Sequence, residues 1–178
     1  MSAMQEIQYI YKDVSEWLKF AEVKHAGLFA VWTAILISLV SEKDWFNEPL
    51  VENTFLLIIA FGGSLINIIS FIPFLNRSQY IKEKCYQKYC KYANNSVFYQ
   101  SVFVATYSKI GIQDSVEKYI RMLEKKGVHF ENIQLEEDYL KQIIEVSTVA
   151  TIKIYLFNVA VKYVFGAAIL YFIIVTAL

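Results

Sequence analysis

Three apolar stretches, the second and third separated by a basic, tyrosine-rich segment, restrict this chain more than any other feature. No charged residue occurs from Ala26 to Ser41 or from Asn53 to Asn76, and Lys162 is the single one from Ile154 to Leu178. A hydrocarbon core of about 30 Å is crossed by about 20 helical residues. The second stretch meets that length outright. The first meets it when its helix begins near Phe20 with Glu22 and Lys24 at the interface, and the third when Lys162 snorkels. The expected architecture is an all-α integral membrane protein with an N-terminal amphipathic helix, a two-span hairpin, a cytosolic helical module and a C-terminal apolar helix. The arm and hairpin occupy residues 1–76, the module 77–153 and the last helix 154–178.

Loops rich in Lys and Arg stay cytoplasmic, and acidic residues contribute little to that bias. The arm carries Lys12, Lys19 and Lys24, and the segment from Arg77 to Lys153 has twelve basic residues against nine acidic ones. The short loop from Glu42 to Glu52 carries only Lys43 against Glu42, Asp44, Glu48 and Glu52. The arm and the long segment are therefore expected inside and the short loop outside, an asymmetry hidden by a formal net charge of zero. Three spans leave the C-terminus outside; a third stretch lying flat on the inner surface returns it inside. An end that is apolar all round lacks the polar face an interfacial helix needs, which favours spanning.

A length of 178 residues suits one compact unit rather than two even domains, and two Pro and six Gly leave little room for long flexible linkers. Met1 to Lys24 holds Glu6, Asp13, Glu16 and Glu22 and lacks a cationic start followed by an apolar core, so no cleaved leader is expected there. Cys85 and Cys90 fall on the reducing inner side at a spacing unsuited to a disulfide or a zinc site, and read as small core residues.

Within the arm, Ile10, Val14, Trp17, Leu18 and Ala21 recur at helical spacing while Lys12, Asp13, Glu16 and Lys19 take other faces. That helix is expected to run into the membrane without a break. In the second stretch Gly62, Gly63 and Ser64 allow close helix approach, Asn67 needs a hydrogen-bond partner in lipid, and Pro73 bends or ends the helix. From about Ser78 to Tyr92 a juxtamembrane helix is expected. Arg77, Lys84, Lys88 and Lys91 form one stripe on it, and Ile81, Cys85, Tyr89 and Tyr92 form the adjacent apolar face. The stripe suits an anionic leaflet or an anionic ligand. A nucleic-acid groove is disfavoured, because the chain as a whole carries no positive excess.

The run Asn95 to Lys109 is β-prone in composition but fits neither period, and reads as a buried short helix or turn. Asp114 and Glu117 have capping-box spacing ahead of the helical face of Val116, Tyr119, Ile120 and Leu123, which Lys125, Lys126 and Gly127 end. A further helix is expected near Leu135 with Glu136, Glu137 and Asp138 at its positive end. Continued through Lys153 to Leu178, it would be about 65 Å long and could couple the module to the bilayer.

The chain has no phosphate-cradling Gly loop, no Gly-x-Ser-x-Gly, no His-Glu-x-x-His and no metal-spaced Cys set, so neither catalysis nor a metal is expected. His25, at the inner boundary of the first span, and His129, in the loop after Gly127, read as interface or surface residues. Lys162 is the one ionisable group placed well within a span. Asn158, one turn earlier, can share a polar face with it and meet Asn67, which makes Asn67, Asn158 and Lys162 the candidate gating residues.

The run Trp17-Leu-Lys-Phe-Ala-Glu-Val-Lys24 leading straight into an apolar helix resembles the start of the first span in the Pycsar transmembrane effector family, with Glu22 and Lys24 as its acidic and basic pair. Matching features follow in order: Pro73, the aromatic patch from Asn95 to Tyr107, Tyr119 and Leu123, then Gln142, Ser147 and Lys153 ahead of the last apolar stretch. The resemblance covers nearly the whole chain. It implies a bacterial antiphage effector of the inner membrane, multi-pass with a cytoplasmic N-terminus. A cyclic nucleotide from a partner cyclase would trigger it to impair that membrane and arrest growth. The implied partners are the lipid bilayer, further copies of the chain and the cyclic nucleotide as activating ligand, with no other cofactor. The alternative is a membrane-anchored adaptor that recruits a partner protein through its cytosolic helices.

Overall fold

The computed structural model describes residues 3–41, 50–71, 78–90, 99–130 and 133–177. Among them are six helices and no strand: α1 (Ala3–Ser41), α2 (Leu50–Phe71), α3 (Gln79–Tyr89), α4 (Tyr99–Thr106), α5 (Ile112–Glu124) and α6 (Ile133–Ala177). The chain divides into two compact units, Met1–Ala21 with Pro73–Ile154 and Glu22–Ile72 with Tyr155–Leu178. The long helices α1 and α6 contribute to both. Pro73, Arg77, Lys91 and residues 95–98 of the aromatic run lie outside the described residues, as does most of the short acidic loop.

The first unit is held by amphipathic faces. Ala3, Ile7, Ile10 and Val14 of α1 bury one stripe against Val116, Tyr119 and Leu123 of α5 and Leu140, Ile143 and Ile144 of α6. Removing each such aliphatic side chain from water contributes about 1.5–3 kcal/mol. The arm's apolar face is thus spent in this core, and Trp17 and Leu18 pack against it half-buried. The aromatic run supplies α4, whose Tyr99, Val102, Phe103 and Val104 are buried. Burial comes from both sides of this short helix, which is why neither amphipathic period shows in its sequence.

One expected boundary differs. α5 begins after Gly111, which caps it without a side-chain hydrogen bond, three residues before the Asp114–Glu117 pair suggests. Asp114 instead accepts from Lys118 at 2.7 Å, one turn on, and its carboxylate also bonds the Ser108 side chain ahead of the helix. The other end follows the sequence: Val128 N donates to Leu123 O at 3.2 Å and Gly127 N to Glu124 O at 2.9 Å, with Gly127 at φ 86. This is a Schellman closure, and only Gly takes that φ without strain. Buried Val128 and Leu123 complete its apolar contact.

The second unit brings together the apolar parts of α1, α2 and α6. Its centre is a close approach: a Cβ on Gly63 would collide with the Trp32 indole, and one on Gly62 with the Tyr163 hydroxyl. Tyr163 donates to Ile59 O at 3.2 Å and lies 6.3 Å from Trp32, so the two glycines admit one aromatic from each neighbouring helix. The outward faces are lined with large apolar side chains, among them Val40 (70 % exposed), Phe61 (55 %), Phe165 (66 %) and Phe172 (69 %). α1 and α6 are long and apolar enough to cross a membrane, whereas the apolar part of α2 among the described residues, Thr54–Ile69, is shorter. Only 11 % of the most apolar window of α1 and 6 % of that of α6 is buried within the protein. The core helix of a water-soluble domain would be mostly covered.

Candidate functional site

A cavity of about 410 Å³ opens in the first unit between α3, α4, the start of α5 and the middle of α6. Gln79 and Lys82 come from α3, Phe103 and Tyr107 from α4 and its exit, Gly111 and Ser115 from the start of α5, and Glu145 and Thr148 from α6. The turn into α5 is short because Ile110 N donates to Ser108 Oγ at 3.0 Å. Without a side-chain cap, the first turn of α5 presents amides that no residue of its own helix accepts. A second cavity, of about 280 Å³, is lined by Glu124, Glu137 and His129 and, among the described residues, by no Lys or Arg, a poorer environment for an anion.

The walls of the larger cavity are braced. Tyr107 stacks on Tyr86 of α3 at 4.5 Å with 21° between the rings, and Lys109 bonds Glu83 at 2.8 Å. Burial, reinforced by Glu83, raises the Tyr107 hydroxyl above its ordinary range, so at neutral pH it is a neutral donor and acceptor. Tyr99 is pushed up to about 12 by burial, with Tyr89 adding to it and Gln100 opposing. The Cys85 thiol is pushed up to about 12 by burial, Lys88 only partly offsetting it. Cys85 is the small core residue expected, whereas Cys90 is exposed, a correction that follows from its place at the end of α3.

Of the basic stripe, Lys84 and Lys88 are exposed on α3, with their ammonium groups over Tyr80 at 5.7 Å and Tyr89 at 5.1 Å. They do not line the cavity; Lys82 does. Lys82 stands three residues before buried Cys85 and seven before buried Tyr89, and a cation in register with an apolar face is the signal that the stripe obscured.

In the second unit Asn67 is fully buried, and its Nδ2 donates to Gly63 O of its own helix at 2.8 Å. Asn158 is half-buried and Lys162 exposed. His25 is 1 % exposed, with its ring edge-on to Phe157 at 5.6 Å; it is an interior residue, not a surface one, because that aromatic covers it. Lys24 stands over the same ring at 5.3 Å. Among the family-motif residues, Trp17 packs with Tyr99 at 5.0 Å, Glu22 and Gln142 are exposed and Lys153 is buried. No group of three metal-ligating side chains occurs among the described residues.

Comparison with curated proteins and with solved structures finds no match. The pattern of the Pycsar effector protein domain matches residues 6–178, nearly the whole chain. The chain therefore belongs to the Pycsar effector family, and with it to antiphage defence linked to cyclic-nucleotide signalling.

Proposed function

We propose that this protein is a triggered membrane-disrupting effector: on a cyclic-nucleotide signal it impairs the bacterial inner membrane and halts growth. The observation that carries the reading is the uncovered apolar surface shared by all three helices of the second unit, in a chain of this family. Lipid is the solvent that such a surface requires. In this reading α1, α2 and α6 all cross the bilayer, the N-terminus and the first unit are cytoplasmic, and the acidic loop is outside. Exposed Lys84 and Lys88, with Arg77 and Lys91, supply charge toward anionic headgroups or an anionic ligand. The protein acts as an oligomer and performs no catalysis.

Asn67, Asn158 and Lys162 are the gating candidates. Interhelical hydrogen bonds of buried amides contribute about 0.6 kcal/mol on average in membranes, enough to bias two packings of a bundle without holding it together. The test is membrane potential and dye entry in cells making this protein with and without a nucleotide cyclase. Depolarisation that requires the cyclase is expected, with Asn67→Leu, Asn158→Leu and Lys162→Leu shifting its threshold at matched protein levels. Unchanged potential and dye exclusion would replace this reading with the membrane-anchored adaptor.

A further inference from the structure

The second unit is packed inside out. Its buried positions on α2 are Ala60, Gly63, Ser64 and Asn67, at helical spacing on one stripe, while Ile58, Phe61, Leu65 and Ile68 of the same helix are exposed. In this unit α1 buries His25 and Trp32, and α6 buries Ala160 and Ala167. No Leu, Ile, Val, Met or Phe is buried among the described residues of the unit, so its interior consists of small and polar side chains. Close helix approach accounts for the small ones, but not for polar atoms left over. Trp32 and Ser64 are each less than a tenth exposed, and Trp32 Nε1 and Ser64 Oγ have no hydrogen-bond partner among the described residues. Thr33, in the same unit, donates to Phe29 O one turn back at 2.9 Å, a bond that Ser64 forgoes. The indole atom nearest the place of a Cβ on Gly63 is Cε2, the carbon that carries Nε1, so the donor lies at the α2 stripe. There Asn67 Nδ2 donates to Gly63 O at 2.8 Å.

We infer that the interior of this bundle binds water and that protons, rather than larger solutes, are what it passes when the Trp32 indole withdraws from Gly63. This rests on the membrane-disrupting reading above and names the species that leaks. An N–H or hydroxyl buried without a partner is costly, and the lipid outside offers none. Water supplies the missing bonds: it accepts from Trp32 Nε1 and either donates to Ser64 Oγ or accepts from it. Polar side chains within spans characteristically face a bundle interior or a water-filled space. His25 precedes Trp32 by seven residues on α1, two turns or about 10 Å toward the inner face, and an imidazole takes a proton on one nitrogen and releases one from the other. Beyond the indole the buried residues are Ala60 of α2 and Ala167 of α6, whose methyl groups obstruct a path less than any larger apolar side chain. Protons hop along hydrogen-bonded water without a hydration shell. A metal cation must exchange its shell for oxygens, and no Asp or Glu is buried among the described residues of this unit. The indole that fills the space at Gly63 is the plug.

The experiment places the full chain in liposomes under a valinomycin-set potential, negative inside, with a trapped pH indicator and, in a parallel sample, a trapped self-quenching dye. Trp32→Ala is expected to acidify the lumen about tenfold faster than the parent protein while the dye is retained. Trp32→Phe refills the space and should stay within about threefold of the parent. Ser64→Val in the Trp32→Ala background replaces the hydroxyl by a methyl group and should cut the flux about fivefold. Melting in detergent, matching the parent, confirms that the variants fold. The parent protein itself is read by NMR in lipid nanodiscs, which depends on no variant's folding except for assignment. Magnetisation transfer from water is expected at the Trp32 indole N–H, identified by its loss in Trp32→Phe; transfer from acyl chains alone overturns the water site. A folded Trp32→Ala protein no leakier to protons than the parent, flux that survives Ser64→Val, or dye release that keeps pace with the protons overturns the path. In cells, cyclase-dependent depolarisation accompanied by dye entry overturns the proton path and leaves the effector function standing; proton flux through Trp32→Ala in liposomes without cyclase-dependent depolarisation in cells does the reverse.

Discussion

Gly63 faces the indole of Trp32 so closely that the ring occupies the space a Cβ would need. Trp32 is 5 % exposed, so it cannot swing aside without giving up its packing. Gly63→Ala should therefore destabilise the bundle by about 1–3 kcal/mol, the ordinary cost of overpacking, despite the roughly 1 kcal/mol that Ala gains over Gly in a helix. In a Trp32→Ala background the obstruction is gone and the same substitution should become neutral or stabilising. Unfolding of the four proteins in detergent, read as a double-mutant cycle, checks that change of sign.

Tyr119 of α5 is wholly buried, and its hydroxyl has no hydrogen-bond partner among the described residues. Burial, with a contribution from Glu6, raises its ionisation far above the ordinary tyrosine range, so the group is a neutral hydroxyl at every physiological pH. An unsatisfied buried hydroxyl costs about 1–3 kcal/mol. Tyr119→Phe should leave stability unchanged or raise it, and Tyr119→Ala should lower it by about 3–5 kcal/mol through the cavity it leaves. Thermal melting of both variants separates packing from polarity.

The two thiols should differ in reactivity. Cys85 is buried with its ionisation pushed up to about 12, and Cys90 is exposed. The thiolate is the reactive form. At pH 8 an aromatic disulfide reagent should therefore label one thiol per folded chain rapidly, and the second only on denaturation. Cys90→Ser should abolish the fast phase, whereas Cys85→Ala should leave it intact.

Glu137, at the start of α6, accepts from Gln113 of α5 at 3.0 Å and from Lys141 at 3.0 Å, and these bonds, Gln113 first, lower its pKa below the ordinary carboxylate value. A depressed carboxylate contributes stability above its unfolded pKa, and that contribution is lost as pH falls through the folded one. The melting temperature of Glu137→Gln should lie below that of the parent protein at pH 7, and the gap should close as pH is taken from about 5 to 3. Glu137 is half-buried at the surface and still reached by solvent, so the gap should be small and shrink with added salt.

The helical faces of α1 and α5 were legible in the chain alone, whereas the α4 run showed neither period. Spacing of Ile10, Val14 and Ala21 marked the arm, the face of Val116, Tyr119 and Leu123 marked α5, and Gly127 marked its end; each rests on local geometry that 3.6 residues per turn writes directly into the chain. The apolar stretches and the order of the family's motifs were legible for the same reason. What periodicity cannot write is which face meets which. The arm's stripe could have served a bilayer surface as well as a core, and only packing against Leu140 and Ile143 decided it. The basic stripe on α3 drew attention to Lys84 and Lys88, while the cavity took Lys82, because a cavity is made by four elements distant in sequence. Glu145, the only charge between Lys141 and Lys153, lines that cavity only because α3 and α4 close the space against α6. Likewise Gly62 and Gly63 announced a close approach, but the aromatics that fill it, Trp32 and Tyr163, were assigned by contacts about 30 and 100 residues away. Local propensity chooses the elements, and long-range packing, which depends on all of them at once, chooses their partners.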